Sequence, residues 1–367
     1  MATQRIIEPT ARSPEDERLN WSLRPARLSE YIGQRGLVER VRIAVEAATQ
    51  RNEPMEHLLL HGPPGLGKTT LASVIAAEMG VVAHTLSGAA LSRASDLVGA
   101  LTRLNERDVL FIDEIHRLPP AVEEFIYPAM EDFKIDISVE QGMNARAVSL
   151  RLKPFTLIGA TTRTGLISGP MRSRFGIAHH LDLYPPEDLL VILQRSAALL
   201  SITHAPADAL ERNAVRSRGT PRIANRLLRR VRDYAQVRAQ GRLDPAIVDE
   251  ALALEGVDEL GLDALDRAYL KALATTYNGG PVGLEALAAT LNEDAPSLED
   301  VVEPFLLQAG LVARTRRGRQ LTPAGAARAG GSAPSPDSLL DADLFTIDPA
   351  ASIQPAPQRR TPQRRSR

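Results

Sequence analysis

Not one cysteine occurs among the 367 residues, which excludes disulfides, thiolate zinc sites and cysteine nucleophiles and fits a reducing, cytoplasmic setting. No stretch approaches the roughly 18 uninterrupted apolar residues of a membrane span, and residues 1–20 carry charges where a secretory signal needs an apolar core. An excess of charge of one sign is missing too. Lys and Arg number 44 against 45 Asp and Glu, a net charge of −1, so contact with nucleic acid has to come from local patches or from a partner. The remainder, 44% hydrophobic and 24% charged, is globular material long enough for two or three domains.

The chemistry begins at Gly62-Pro63-Pro64-Gly65-Leu66-Gly67-Lys68-Thr69, a full Walker A loop. Three leucines precede it, and Leu71, Val74, Ile75 and Met79 follow at helical spacing, with Gly80 as a stop. Gly62, Gly65 and Gly67 let backbone N–H groups curl around a polyphosphate, and the helix points its positive end at the same anion. Lys68 adds a point charge, the Thr69 hydroxyl suits Mg²⁺, and Thr70 completes the expected ATP contacts.

Val109-Leu110-Phe111-Ile112-Asp113-Glu114 is an apolar strand ending in two carboxylates, the Walker B pattern. Asp113 is expected to hold Mg²⁺ and Glu114 to polarise the attacking water. A polar sensor of the γ-phosphate is expected at the end of the next strand, Thr162 in preference to Thr161. An arginine in Met171-Arg172-Ser173-Arg174-Phe175 lies away from its own nucleotide and could reach a neighbour's in a ring; for Arg172 an intramolecular salt bridge is the better reading. Arg222, opening a later helix, could touch the same phosphate from within its own chain.

Alternating strand and helix signals, with strands at 81–86, 109–112 and 155–162, predict an α/β fold: a P-loop NTPase with a mostly parallel sheet and helices on both faces. An alternating hairpin over 133–152, turning at 140–144, interrupts it; an edge extension of the sheet is slightly favoured over a projecting, partner-binding arm. Beyond Pro185-Pro186 the chain turns helical. Thr220 and Pro221 read as N-cap and first position of a helix burying Ile223, Leu227, Val231 and Tyr234. Ser297-Leu298-Glu299-Asp300 reads as a capping-box start, and Arg314, Arg316, Arg317 and Arg319 surround a turn between two short strands. Helix, helix, helix, hairpin is a winged-helix order. The expected domains are an arm (1–20), a large ATPase domain (21–184), a helical lid (185–256), a winged-helix head (257–330) and a disordered tail (331–367) holding an acidic-apolar island (339–347) and a basic end.

These elements, in this order, resemble the AAA+ ATPases. In the flanks, Leu23-Arg24-Pro25, Tyr31-Ile32-Gly33-Gln34, Asp113-Glu114-Ile115-His116-Arg117-Leu118, Tyr127-Pro128-Ala129-Met130-Glu131-Asp132-Phe133 and Gly219-Thr220-Pro221-Arg222-Ile223-Ala224-Asn225-Arg226 resemble the RuvB family of bacterial Holliday-junction branch-migration motors, over residues 21 to 322. The resemblance implies that Leu23, Arg24 and Ile32 surround the adenine and that Glu131, Asp132, Phe133 and Tyr184 lie near nucleotide. It makes Arg174 the finger in trans and Arg222 the second sensor. It docks the hairpin on RuvA through Val148 and Leu150, and puts Arg314 and Arg319 on DNA phosphate. It also implies a homo-hexamer on duplex arms, with a RuvC-type resolvase as an indirect partner.

Other readings stay open at this point. Asp113-Glu114-Ile115-His116 spells DExH, but a helicase of that class needs a second ATPase lobe where this chain turns helical and then wing-like. A clamp loader would lack the wing. A regulator in which ATP only switches assembly would not need Glu114.

Overall fold

The computed structural model describes residues 21–138 and 147–330. The arm, the hairpin turn and the tail with its island and basic end lie outside the described residues. In chain order the first domain carries β1 (Leu58–His61), β2 (Ala83–Ser87), β3 (Val109–Asp113), β4 (Lys134–Ser138), β5 (Ala147–Arg151), β6 (Thr156–Thr161) and β7 (Ile177–His180).

Five of these form a parallel sheet in the order β2-β3-β6-β1-β7. Successive residues of a strand face opposite sides, so each strand feeds two cores. Leu58, Leu60, Val109, Phe111, Ile158 and Ala160 pack with the helices Arg35–Arg51 and Lys68–Met79, while Leu59, Leu110, Ile112 and Leu157 pack with Pro120–Glu131 on the other side. Both β1 and β3 therefore end, with buried strands behind them, on one carboxyl edge. In open α/β sheets the ligand crevice lies outside the carboxyl ends of the strands, which is this edge.

The hairpin is not an edge extension. β4 and β5 pair only with each other, in a separate two-stranded sheet. Ile135 anchors it in the core, whereas Val148 and Leu150 are 52% and 36% exposed. The favoured sequence reading fails because alternation specifies a strand with two unlike faces and says nothing about which neighbour it joins.

The lid consists of the helices Pro186–Leu199, Ala207–Val215, Pro221–Arg238 and Pro245–Leu254. Ile223, Leu227 and Val231 are buried and Tyr234 is half-buried, and their core runs on into one face of the sheet. Thr220 stands at the N-cap with Pro221 behind it, yet its hydroxyl donates to the Arg218 carbonyl at 3.3 Å rather than capping the helix.

The head has its own core around Tyr269, Leu270, Leu298, Leu306 and Leu321. Helices Ala264–Thr275 and Leu284–Leu291 lead to a third that starts at Ala295, earlier than the Ser297 start expected. Asp294 caps it by accepting from the Ser297 N–H at 3.0 Å, and the stretch Leu298–Val302 is a π-turn. An acidic cap with Pro296 in the first turn outcompetes the Ser297 alternative. Strands β8 (Val312–Thr315) and β9 (Gly318–Leu321) form the wing. No described helix is long and apolar enough to cross a membrane.

Candidate functional site

The loop after β1 turns through three glycines at positive φ, +139° at Gly62, +83° at Gly65 and +97° at Gly67. A side chain at Gly62 would meet the Leu181 carbonyl oxygen at 2.6 Å, so only glycine lets the loop pass this close to the end of β7. Gly67 is the N-cap of the helix Lys68–Met79. The unpaired N–H groups of that first turn therefore open onto the cleft.

That cleft encloses about 390 Å³ and is lined by Leu23, Arg24, Ile32, Gly65, Gly67, Lys68, Thr69, Thr70, Asp113, Glu114, Tyr184 and Arg222, among others. Most of the expected nucleotide residues thus converge. Leu23, Ile32 and Ile192 offer apolar walls of the kind a purine needs, opposite the phosphate loop.

Lys68 is 6% exposed and donates to the Gly62 and Pro63 carbonyls at 2.7 and 2.9 Å. Burial draws its ammonium down to a pKa of about 8 against the pull of Glu114 and Asp113. Asp113 moves the opposite way, raised by burial and then by the neighbouring Glu114. Crowded carboxylates of this kind are what a divalent cation relieves, and Thr69 and Asp113, hard oxygen donors on one cleft wall, fit Mg²⁺.

Glu114 adopts a left-handed backbone, φ +49°, a costly conformation of the kind that clusters at functional sites. Its Oε2 accepts from the Thr162 N–H and hydroxyl at 3.3 and 3.1 Å. Thr161 instead is buried and bonds the His116 ring at 2.8 Å, so of the two threonines it is Thr162 that reaches Glu114.

Arg174 does not line this cleft. Its guanidinium lies 4.1 Å over the Tyr127 ring, 3.1 Å from Glu131, and donates to the Pro170 carbonyl. Glu131, Asp132 and Phe133 are also away from the cleft of their own chain; Phe133 packs on His57 and Phe155. Arg172 donates to the Thr164 carbonyl at 2.7 Å, a hydrogen bond where a salt bridge was expected.

Tyr31, Arg195 and Asn225 line the cleft without having been assigned a role. Arg195 donates to the Leu23 and Arg24 carbonyls at 3.2 and 3.0 Å, tying that segment to the lid. The only signal for it was an arginine on a lid helix 172 residues from its partner. Tyr31, with a pKa raised to about 12 by burial, pairs with Tyr184 behind Gly67.

In the wing, Arg316 and Arg317 are exposed at the turn. Arg314 and Arg319 reach back to Glu303, a fully buried carboxylate, with Nε donating at 2.8 and 2.9 Å.

A phosphate loop after β1, paired acids after β3, a lid bringing Arg222 into the cleft and a winged helix beyond it define a P-loop NTPase of the AAA+ class. The model of the Holliday junction DNA helicase RuvB P-loop domain matches residues 23–181, that of the RuvB AAA lid domain 184–258 and that of the RuvB C-terminal winged helix domain 259–328. This chain belongs to the RuvB family. It is 56% identical over 304 residues, 83% of the chain and 88% of the relative, to the Holliday junction branch migration complex subunit RuvB of Desulfosudis oleivorans. Among solved structures it resembles the Thermotoga maritima RuvB Holliday junction branch migration motor, with TM-score 0.77 and 47% identity over 85% of this chain and 100% of that one. A variant of the same Thermotoga protein gives TM-score 0.79, also at 47% identity and 85% coverage of this chain, covering 99% of its own.

Proposed function

We propose that this chain is the ATP-hydrolysing subunit of a homo-hexameric ring that sits on duplex arms of a four-way junction and, with RuvA, drives branch migration ahead of a RuvC-type resolvase. The observation that carries the reading is the position of Arg174. A cleft with Lys68, Asp113, Glu114, Arg222 and the phosphate loop is complete except for a finger, and the chain's arginine lies on another face beside Glu131.

In each subunit Lys68 and the loop N–H groups hold the polyphosphate, and Leu23, Arg24, Ile32 and Tyr184 hold the base side. Thr69 and Asp113 would hold Mg²⁺, which supplies charge neutralisation on the phosphate oxygens. Glu114 orients and takes a proton from the attacking water, Thr162 senses the terminal phosphate, and the neighbour's Arg174 offsets charge developing in the transfer. Glu131, which meets Arg174, approaches that neighbouring nucleotide together with Asp132 and Phe133, which follow it in the chain. Arg222 passes the change to the lid.

Arg314, Arg316, Arg317 and Arg319 contact DNA phosphate from the wing, with Glu303 holding Arg314 and Arg319 in place. Exposed Val148 and Leu150 dock on RuvA. Contacts to phosphate carry no base identity, so movement is sequence-independent and salt-sensitive.

Junction movement on a synthetic four-way substrate tests the reading. With RuvA and ATP the chain moves the junction. Arg174→Ala binds ATP but loses about 10³- to 10⁵-fold in turnover, and mixing it with Glu114→Gln subunits restores part of the rate at mixed interfaces. No recovery in the mixture would exclude a shared site.

A further inference from the structure

Tyr127 sits on the helix Pro120–Glu131, one turn before Glu131, and the Arg174 guanidinium lies over its ring at 4.1 Å. The tyrosine hydroxyl donates to Glu123, and so does the hydroxyl of Ser168. Ser168 is also the N-cap of the short helix Gly169–Ser173, accepting from the Met171 N–H at 3.1 Å, and that helix ends on Arg174. Ring and guanidinium thus come from two helices fastened together through one carboxylate, that of Glu123.

Two further contacts reach the guanidinium. Nη1 donates to the Pro170 carbonyl at 2.7 Å, and Nε stands 3.1 Å from a Glu131 oxygen. The Glu131 side chain is 55% exposed, so this ion pair is weak, and it draws on the same N–H edge that a phosphate would take. An aromatic face attracts the cation without consuming any N–H. The Pro170 bond uses a single N–H, so a guanidinium resting on the ring still presents its other donors to an anion. A long side chain loses rotamer freedom when it engages a ligand, and one already held loses less.

We infer that Tyr127 is a positioning residue for hydrolysis in the adjoining subunit: its ring holds the Arg174 guanidinium ready, and Glu123 with Ser168 holds the ring. This rests on Arg174 acting in trans.

The test is steady-state hydrolysis by the full chain with excess duplex DNA, alongside binding of a fluorescent ATP analogue. Tyr127→Leu, apolar but without a π face, should lower kcat by about 5- to 30-fold, the weight of a partly desolvated cation–π contact, and leave analogue affinity unchanged. Tyr127→Phe should keep most of the rate. Phenylalanines with increasing numbers of ring fluorines at position 127 hold the shape and drain the face, so kcat should fall stepwise along that series. Mixing Tyr127→Leu with Glu114→Gln subunits should exceed the mean of the two separate rates, because an intact finger then meets an intact cleft. Mixing Tyr127→Leu with Arg174→Ala should bring no gain.

Full-rate Tyr127→Leu beside inactive Arg174→Ala would overturn the Tyr127 role alone. A flat fluorine series would overturn it as well, and so would no gain with Glu114→Gln where Arg174→Ala does gain. No gain for Arg174→Ala either would remove the shared site and the Tyr127 role together.

Discussion

His57 has both ring nitrogens spoken for. Nδ1 accepts from the Leu157 N–H at 2.9 Å, and Nε2 donates to the Met130 carbonyl at 3.0 Å. Protonating Nδ1 would set it against an N–H, and burial already lowers its pKa. The folded value lies below the ordinary 6.5, so the unfolded chain takes the proton more readily. The stability this histidine contributes is complete above 6.5 and is lost as the pH falls below it, by at most about 1.4 kcal/mol per pH unit for one proton. Denaturant midpoints from pH 7.5 to 5.5 should fall less steeply in His57→Asn, whose amide can reproduce the acceptor; parallel slopes would place the acid sensitivity at other groups. The same scale separates Thr161 from Thr162. Their order in the chain favours Thr162 as the sensor, but only the pleat of β6 turns one hydroxyl to Glu114 and the other to His116.

The wing illustrates what a local reading misses. Arg314, Arg316, Arg317 and Arg319 read alike in sequence, four cations around one turn. In the fold, Glu303 arrives from the preceding helix with no exposed surface, takes the Arg314 and Arg319 guanidiniums on its oxygens and the Tyr269 hydroxyl at 2.8 Å. Glu299, expected in a capping box, instead faces Arg314 and Arg319 at 3.5 and 3.7 Å. A buried carboxylate needs such partners, and removing one side of the network leaves the rest uncompensated. Glu303→Ala should cost the head about 3 kcal/mol, seen as an earlier denaturant transition. Replacing Arg316 and Arg317 together should flatten the log affinity against log salt slope for duplex by about 1.8 units. An unchanged slope would put the phosphate contacts elsewhere.

Across the whole molecule the three domains are joined unequally. Lid and head meet through Arg218, 3% exposed, which pairs with the fully buried Asp266, donates to the Gly261 carbonyl at 2.7 Å and lies 4.8 Å over the Phe305 ring. The ATPase domain meets the head through Arg163, next to Thr162, in a two-pronged bond to Asp300 with about a third of each side chain exposed. Pro63 and Pro64 of the phosphate loop share a small groove there with Asp300, Pro304 and Phe305. A pair this exposed is worth about 1 kcal/mol or less, so this clasp opens far more readily than the lid–head joint. Arg163→Ala should widen the distribution of head positions, read as a larger radius of gyration in solution scattering and faster hydrogen exchange over residues 298–308, while Arg218→Ala should lower thermal stability. Unaltered scattering and exchange in Arg163→Ala would mean that other contacts hold the head.

The amino-acid order alone determined the phosphate loop, the acid pair, the helical lid and the winged head, because glycine geometry, strand runs and helix punctuation act over a few neighbouring residues and leave a local imprint. Tertiary structure decided the rest: that the hairpin stands apart from the sheet, that Arg195 ties Leu23 and Arg24 to the lid, that the single carboxylate of Glu303 takes both Arg314 and Arg319, and that Thr162 meets Glu114 while Thr161 meets His116. Each of these joins groups from separate elements, and a bond across such a separation leaves no periodicity in the chain that makes it.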